Sequence, residues 1–337
     1  MESKPAISVL GSGGWGTALA IMAHKYGCHV TLWSPFKEEI ADIRRFDENR
    51  KLLPGVPVPL DMNLTTNLDE TAKSDLIILA VPSFAIRQTA KLLAPLIRPG
   101  TLIANAGKGL EPKTHLRFSQ VLSEELASAR IVVLSGPSHA EEVARDVPTT
   151  IISASHDIEA AELVQAMLMN PNFRIYVNSD VAGVELGGAL KNIIALAAGI
   201  CDGLNVGDNT KAALMTRGLA EIARLGTALG ARTETFAGLS GMGDLIVTCG
   251  SLHSRNRRAG MLIGQGHTPQ EAVRLIGTVE GYHASLAAWE LAQSVNVEMP
   301  ITEQCWRICY QEQSARDAVR ILMERPRRHE TECEWHL

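Results

Sequence analysis

Three groups of residues have the types and spacing that chemistry needs. The first is the turn Gly11-Ser12-Gly13-Gly14-Trp15-Gly16. It follows the strand-like run Ala6–Leu10 and precedes the helix-favouring run Thr17–Ala23. In a strand–turn–helix setting, G-x-G-x-x-G fits the pyrophosphate of a dinucleotide. Gly11 allows the tight turn, Gly13 the close approach of backbone to phosphate, and Gly16 the packing of helix on strand. The helix N-terminus adds free N–H groups and partial positive charge. The bland alternative is a glycine-rich turn that binds nothing.

The second group is a pair of lysines. Lys108 stands between Gly107 and Gly109, directly after an expected strand. It is either a lysine reaching into a ligand crevice or an exposed loop lysine. Lys191 lies in the largely apolar, glycine-containing stretch Val184–Ala195. Burial disfavours an ammonium and lowers its pKa from about 10.4, and a nearby cation such as Lys108 would lower it further. A lysine tuned in this way serves as a general base near neutral pH. Its alternative is the solvated face of an amphipathic helix. The third group comprises Gly241-Met242-Gly243-Asp244-Leu245 and Ser254-Arg255-Asn256-Arg257-Arg258. Serine, guanidinium and amide together can clamp a phosphate or carboxylate, or the arginines can simply be solvated. No Ser/His/Asp arrangement is evident, and the 10 histidines show no metal-ligand spacing.

The elements that must position these residues follow from periodicity. Strand-like runs at Val30–Trp33, Leu76–Val81, Thr101–Asn105, Ile131–Leu134, Thr149–Ala154 and Phe173–Val177 alternate with helical stretches. Those helices are expected at Glu38–Arg45, Ser83–Ala94, Thr114–Ala127 and Ile158–Met169, with Leu52–Pro59 a loop. Such alternation predicts an α/β fold with a doubly wound, mostly parallel sheet. From about residue 180 nearly everything is helical: Val181–Gly199, Thr210–Leu229, His253–Gly264, Pro269–Leu275, Tyr282–Gln293 and Thr302–Glu312. Two domains are therefore expected, 1–180 and 181–337, with a polar, frayed tail over Arg325–Leu337. In open α/β sheets ligands lie beyond the carboxyl ends of the strands. That gives most weight to residues 11–16, 107–111 and 135–140.

At 337 residues, 46% hydrophobic and 20% charged, the chain has a globular composition. Its net charge of −5 argues against a nucleic-acid partner. The cysteines Cys28, Cys201, Cys249, Cys305, Cys309 and Cys333 form no C-x-x-C pair and read as free thiols in a reducing compartment. The N-terminus lacks a signal peptide's apolar core, and the apolar run Ile193–Cys201 is too short to span a bilayer. A cytoplasmic protein is expected. The second strand of an NAD-specific domain usually ends in an acid that holds the ribose hydroxyls. Here the chain reads Trp33-Ser34-Pro35-Phe36-Lys37, with no acid before Glu38. Lys37 either attracts a 2′-phosphate or is a surface lysine, so NAD and NADP both stay open.

Taken together these motifs resemble the NAD(P)-dependent glycerol-3-phosphate dehydrogenase family in its bacterial form. The resemblance spans Ile7 to about Arg325. It rests on GSGGWGTALA at 11–20, NAGKGLE at 105–111, SGPSHAEEV at 135–143 and GVELGGALKNIIALAAGICDGL at 183–204. It continues through LSGMGDLIVTC at 239–249, SRNRR at 254–258 and VEGY at 279–282. It implies an N-terminal Rossmann-type domain and a helical substrate-binding and dimerisation domain, as in 6-phosphogluconate dehydrogenase. The implied activity is reversible reduction of dihydroxyacetone phosphate to sn-glycerol 3-phosphate by NAD(P)H, for glycerophospholipid synthesis, in a homodimer. Lys191 matches the proton acceptor, Lys108 a lysine touching substrate and cofactor, and Asp244 a polar active-site residue. Gly136, Ser138, Ser254, Arg255 and Asn256 match substrate-binding positions. Gly14, Trp15, Ala140, Arg255 and Glu280 match cofactor-binding positions beside Gly11, Gly13 and Gly16. His139, where an apolar aromatic residue is common, and Pro35 depart from the pattern and leave cofactor preference open. Two other readings are a β-hydroxyacid dehydrogenase of the same plan and a non-catalytic dinucleotide sensor. The proton-acceptor set speaks against the sensor.

Overall fold

The computed structural model describes residues 4–327 and 329–330. Its first half alternates β1 (Ala6–Leu10), α1 (Gly14–Lys25), β2 (His29–Trp33), α2 (Lys37–Phe46), β3 (Asn63–Thr65) and β4 (Leu76–Leu79). Then come α3 (Ile86–Leu93), β5 (Leu102–Asn105), α4 (Phe118–Glu125), β6 (Arg130–Ser135), α5 (Ala140–Ala144), β7 (Thr149–Ala154), α6 (Ile158–Leu168) and β8 (Phe173–Asn178). The eight strands form one sheet in the order β3-β2-β1-β4-β5-β6-β7-β8. Every pairing is parallel except β6 with β7. The order reverses between β1 and β4, which opens a crevice beyond their carboxyl ends. β4 reads LIIL and is buried throughout, as a strand covered on both faces must be.

The structure adds one strand to those expected and corrects two of the expected helices. β3 lies in a stretch too short and polar to show strand periodicity, and it is held as an edge by its parallel register with β2. The helix expected over Thr114–Ala127 is α4 alone. Lys113 and His115 adopt left-handed backbone angles (φ 73° and 58°), so the chain turns before Phe118. The Ser83–Ala94 stretch opens as a 3₁₀ turn, Ser83–Ala85, before α3.

The second half is helical: α7 (Val181–Leu204), α8 (Asp208–Ala228), α9 (Thr233–Phe236), α10 (Asp244–Gly250) and α11 (Arg255–Gly264). α12 (Pro269–Ile276), α13 (Glu280–Ser294), α14 (Pro300–Tyr310) and α15 (Ala315–Met323) complete it. Periodicity does not single out α9, α10 or α15, which run only 4, 7 and 9 residues. A π-helical turn, Leu239–Gly243, leads into α10. Residues 331–337, with Cys333 and most of the expected frayed tail, lie outside the described residues. The other five cysteines are free and buried.

α7 is the axis of this half. Its 24 residues are long and apolar enough to cross a membrane, but its most apolar window is wholly buried within the protein. Asp180 caps it, accepting from the Gly183 N–H at 3.0 Å. α11 lies almost backbone to backbone on it. A Cβ on Gly199 would stand 2.0 Å from the Arg257 carbonyl oxygen, and one on Gly260 2.1 Å from that of Leu196. The two halves are tied by Glu185 of α7, which is buried. It accepts from the Ser119 N–H at 2.8 Å and pairs with Arg117 at 2.7 Å. Such a pair is costly to break, since removing one partner leaves an uncompensated buried charge.

Candidate active site

The crevice between the sheet and α7 gathers side chains from three separate segments and a backbone carbonyl from a fourth. Lys108 follows β5 and donates to the Gly136 carbonyl at 2.8 Å and to Asp244 Oδ2 at 2.6 Å. Lys191, 6% exposed on α7, donates to the other oxygen of Asp244 and to Thr248 Oγ1 at 2.7 Å. Asp244, 1% exposed at the start of α10, thus bridges two cations from opposite halves of the molecule. Thr248 stands one turn further along α10 and closes the set by donating to the Asp244 carbonyl at 2.6 Å.

The electrostatics follow from burial. Loss of water pulls the Lys191 pKa down from 10.5 to about 8; Asp244 works against that fall, and Lys108 adds to it. Burial alone would raise the Asp244 carboxyl, but Lys108 and Lys191 outweigh it and hold it below the usual carboxylate range. The result is an anchored amine able to take or give a proton near neutral pH. The solvated-face alternative for Lys191 is excluded by its burial, and the exposed-loop alternative for Lys108 by its two bonds.

The other expected substrate residues surround this centre in different ways. Gly136 contributes its carbonyl to Lys108, and Ser138 donates to the same carbonyl at 2.9 Å. Ser254 caps α11, accepting from the Arg257 N–H at 3.2 Å. Asn256 is buried and already engaged: it donates to Asn192 Oδ1 at 2.9 Å and accepts from the Gly281 N–H at 2.8 Å. It therefore ties α7 to the start of α13. Arg255 is exposed, and its charge partly offsets the burial that raises the Glu280 pKa. Arg257, by contrast, is spent on Asp202 at 2.7 Å.

The glycine turn has the form that a dinucleotide requires. Gly11 takes φ 115°, and a Cβ on Gly16 would stand 2.0 Å from the Gly11 carbonyl oxygen. A Cβ on Gly13 would meet nothing within 4 Å, so that face of the turn is open. Gly13 caps α1 without a side-chain bond, leaving the first-turn N–H groups for a ligand. Trp15 is pinned by its indole N–H to the Ala106 carbonyl at 3.2 Å. Ala140 begins α5, which packs against α1 near Gly14. Glu280 accepts from Ser83 Oγ at 3.1 Å, linking α13 to the turn after β4. These groups, at the carboxyl ends of β1, β4 and β5, fit a nicotinamide dinucleotide and would hold it there.

Several residues here have no signal in the sequence. Thr248, Asn192 and Ser83 act through partners far away in the chain. Ser135 Oγ and His139 Nε2 are buried with no hydrogen-bond partner among the described residues. His139 precedes α5, and burial followed by the Lys191 charge lowers its pKa. Pro35 is exposed. Glu39 changes the expectation about acids after β2. Although α2 has already begun, its carboxylate accepts from Ser12 Oγ at 2.5 Å and Ser34 Oγ at 2.7 Å.

Comparison with known proteins bears on the whole chain. The C-terminal model of NAD-dependent glycerol-3-phosphate dehydrogenase matches residues 180–320, and the N-terminal model matches 6–161. The chain is 53% identical over 331 residues to the NAD(P)+ glycerol-3-phosphate dehydrogenase of Moorella thermoacetica, covering 98% of each. It is 50% identical to that of Desulfitobacterium hafniense, covering 97% of this chain and 93% of the relative. The crystal structure of glycerol-3-phosphate dehydrogenase from Coxiella burnetii superposes with a TM-score of 0.92 at 39% identity, covering 96% of this chain and 99% of the other. With both halves matched and the lysine–aspartate–lysine centre between them, the chain belongs to the NAD-dependent glycerol-3-phosphate dehydrogenase family.

Proposed function

We propose that this protein is an NAD(P)-dependent glycerol-3-phosphate dehydrogenase that reversibly reduces dihydroxyacetone phosphate to sn-glycerol 3-phosphate, supplying glycerophospholipid synthesis. The observation that carries the reading is Asp244 bridging Lys108 and Lys191 in a buried crevice. A bound nicotinamide cofactor would supply the hydride to C2 in reduction and take it up in oxidation. In the oxidative direction neutral Lys191 takes the proton of the substrate's C2 hydroxyl. In reduction its ammonium polarises the carbonyl and returns that proton. Asp244 holds the Lys191 amine in one place, and Lys108 orients the substrate oxygen while helping to keep Lys191 neutral. Arg255 meets the substrate phosphate, with Ser254 and Asn256 shaping the start of α11. Fixing the reacting groups in this way removes several kcal/mol of barrier, up to about 7–11 in ideal cases. A mere dinucleotide sensor has no use for a buried amine with a pKa of about 8.

Residues 1–180 carry the cofactor and 181–337 the substrate groups in this reading. The active form is a homodimer in the cytoplasm, supported by the family resemblance and by five free, buried thiols. Initial rates with dihydroxyacetone phosphate and NADH or NADPH test the assignment. Turnover with either cofactor is expected. No turnover with this substrate, but turnover of a β-hydroxyacid, would overturn it.

A further inference from the structure

We propose that Glu39 selects the cofactor: it holds the adenosine ribose hydroxyls of NAD(H) and repels the 2′-phosphate of NADP(H). The inference rests on the dinucleotide reading above. It concerns a residue outside the glycine turn and outside the expected place for an acid, since Glu39 lies six residues past the end of β2, on α2 (Trp33 is the last residue of β2).

The structure fixes where this carboxylate sits. The Gly11 N–H donates to the Trp33 carbonyl at 2.8 Å, so the glycine turn abuts the end of β2 directly. Ser12 lies in that turn and Ser34 is the first residue past β2. Both are buried, and both donate to Glu39 Oε2. Ser12 is itself immobilised, because Asn49 Nδ2 donates to its carbonyl at 2.7 Å and Thr17 Oγ1 at 3.2 Å. The carboxylate is therefore held by two anchored hydroxyls at the corner where the turn meets the strand. In this fold that corner takes the adenosine ribose, and an acid there accepts from its hydroxyls. Glu39 is exposed enough to meet a ligand, and its second oxygen, Oε1, has no donor among the described residues.

The cations nearby do not compensate. Arg44 is spent on the Leu64 carbonyl, and Arg50 lies over the Phe46 ring, 3.2 Å from its centroid. Lys37 is exposed at the first position of α2 and makes no ion pair with Glu39 among the described residues. A phosphate on the 2′-oxygen would bring a charge of about −1.5 to −2 against a fixed carboxylate. Like charges so placed are how binding sites reject the wrong partner.

Dissociation constants, measured by fluorescence titration of the full chain with NADH and with NADPH, test this without turnover. Wild type should bind NADH at least ~10-fold tighter than NADPH, the ratio that about 1.4 kcal/mol of repulsion gives. Glu39→Gln keeps an acceptor for both serines and deletes the charge. It should erase most of that ratio by tightening NADPH, with NADH affinity falling a few-fold at most. A carboxylate that merely braces α2 would weaken both cofactors equally in that variant, and such a result overturns the proposal. So does a wild type that binds the two within about threefold or prefers NADPH. If Glu39→Gln does not fold, wild type titrated with 5′-AMP and with adenosine 2′,5′-bisphosphate decides the question: tighter binding of 5′-AMP supports the proposal, and equal or weaker binding overturns it. Binding of neither dinucleotide would overturn the cofactor reading itself, an outcome distinct from equal binding of both.

Discussion

Replacing Lys191 by Met keeps length and volume while deleting one buried charge. Burial takes the Lys191 pKa from 10.5 in the unfolded chain to about 8 in the fold. At about 1.36 kcal/mol for each pH unit, the ammonium is about 3 kcal/mol less favourable inside than out. The sign follows from proton counts. Between about pH 8 and pH 10.5 the unfolded chain keeps the proton that the folded chain has released, so stability rises with pH across that window. Below about 8 both states are charged and the full penalty is felt. Wild type should therefore gain about 2 kcal/mol relative to Lys191→Met between about pH 7 and about pH 9.5. The difference between the two proteins is what matters. Buried thiols away from Lys191, such as Cys309, pushed up to about 12, destabilise both alike as the solution becomes alkaline, and they cancel. Asp244 keeps its 2.6 Å partner Lys108 in the variant, so its charge stays compensated. Urea unfolding of both proteins across the pH series gives the difference directly. A difference that stays flat would refute the buried-amine argument. The same ionisation should appear in kinetics: wild-type kcat/KM for glycerol 3-phosphate oxidation rises with pH and levels off above about 8. Lys191→Met should lose about 10²–10⁴-fold in turnover on that plateau, and with it the rise with pH.

Two further substitutions probe the neighbours. Asp244→Asn removes the main charge that raises the Lys191 pKa, so the midpoint of the kcat/KM profile should move to lower pH while turnover falls; an unmoved midpoint would show that the carboxylate does not govern the amine. Arg255→Ala should raise KM for the triose phosphate by about 10–100-fold, the value of about 1.5–3 kcal/mol for a charged hydrogen bond, with kcat much less affected. An unchanged KM would remove Arg255 from the phosphate site.

What can be read from the sequence is what local spacing dictates. The glycine turn, the alternation of strands and helices up to Asn178, and a lysine inside an apolar helix are all properties of short windows. The switch to helices after Asp180 is legible for the same reason. What escapes depends on contacts between distant segments. Thr248 means nothing until α10 is laid against α7, and the part Asn256 plays in tying α7 to α13 shows only once Asn192 and Gly281 are placed against it. Spacing places the acid after β2 at the strand end, whereas the first turn of α2 carries it back there from Glu39. β3, three residues long, takes its conformation from its neighbour in the sheet rather than from its own composition.

The shared carboxylate of Asp244 has a mechanical side. Its two cations are rooted in different halves, Lys108 on the loop after β5 and Lys191 on α7, and each bond is short enough to fail with a displacement of an ångström or so. The bridged lysine–aspartate–lysine set is thus a strain gauge for the seating of one half on the other. A substitution at the Glu185–Arg117 tie, which bonds to neither lysine nor Asp244, would register first as lost turnover, while each half still kept its own core. In this architecture activity is the most sensitive reporter of alignment, and spectroscopic measures of folded structure would lag behind it.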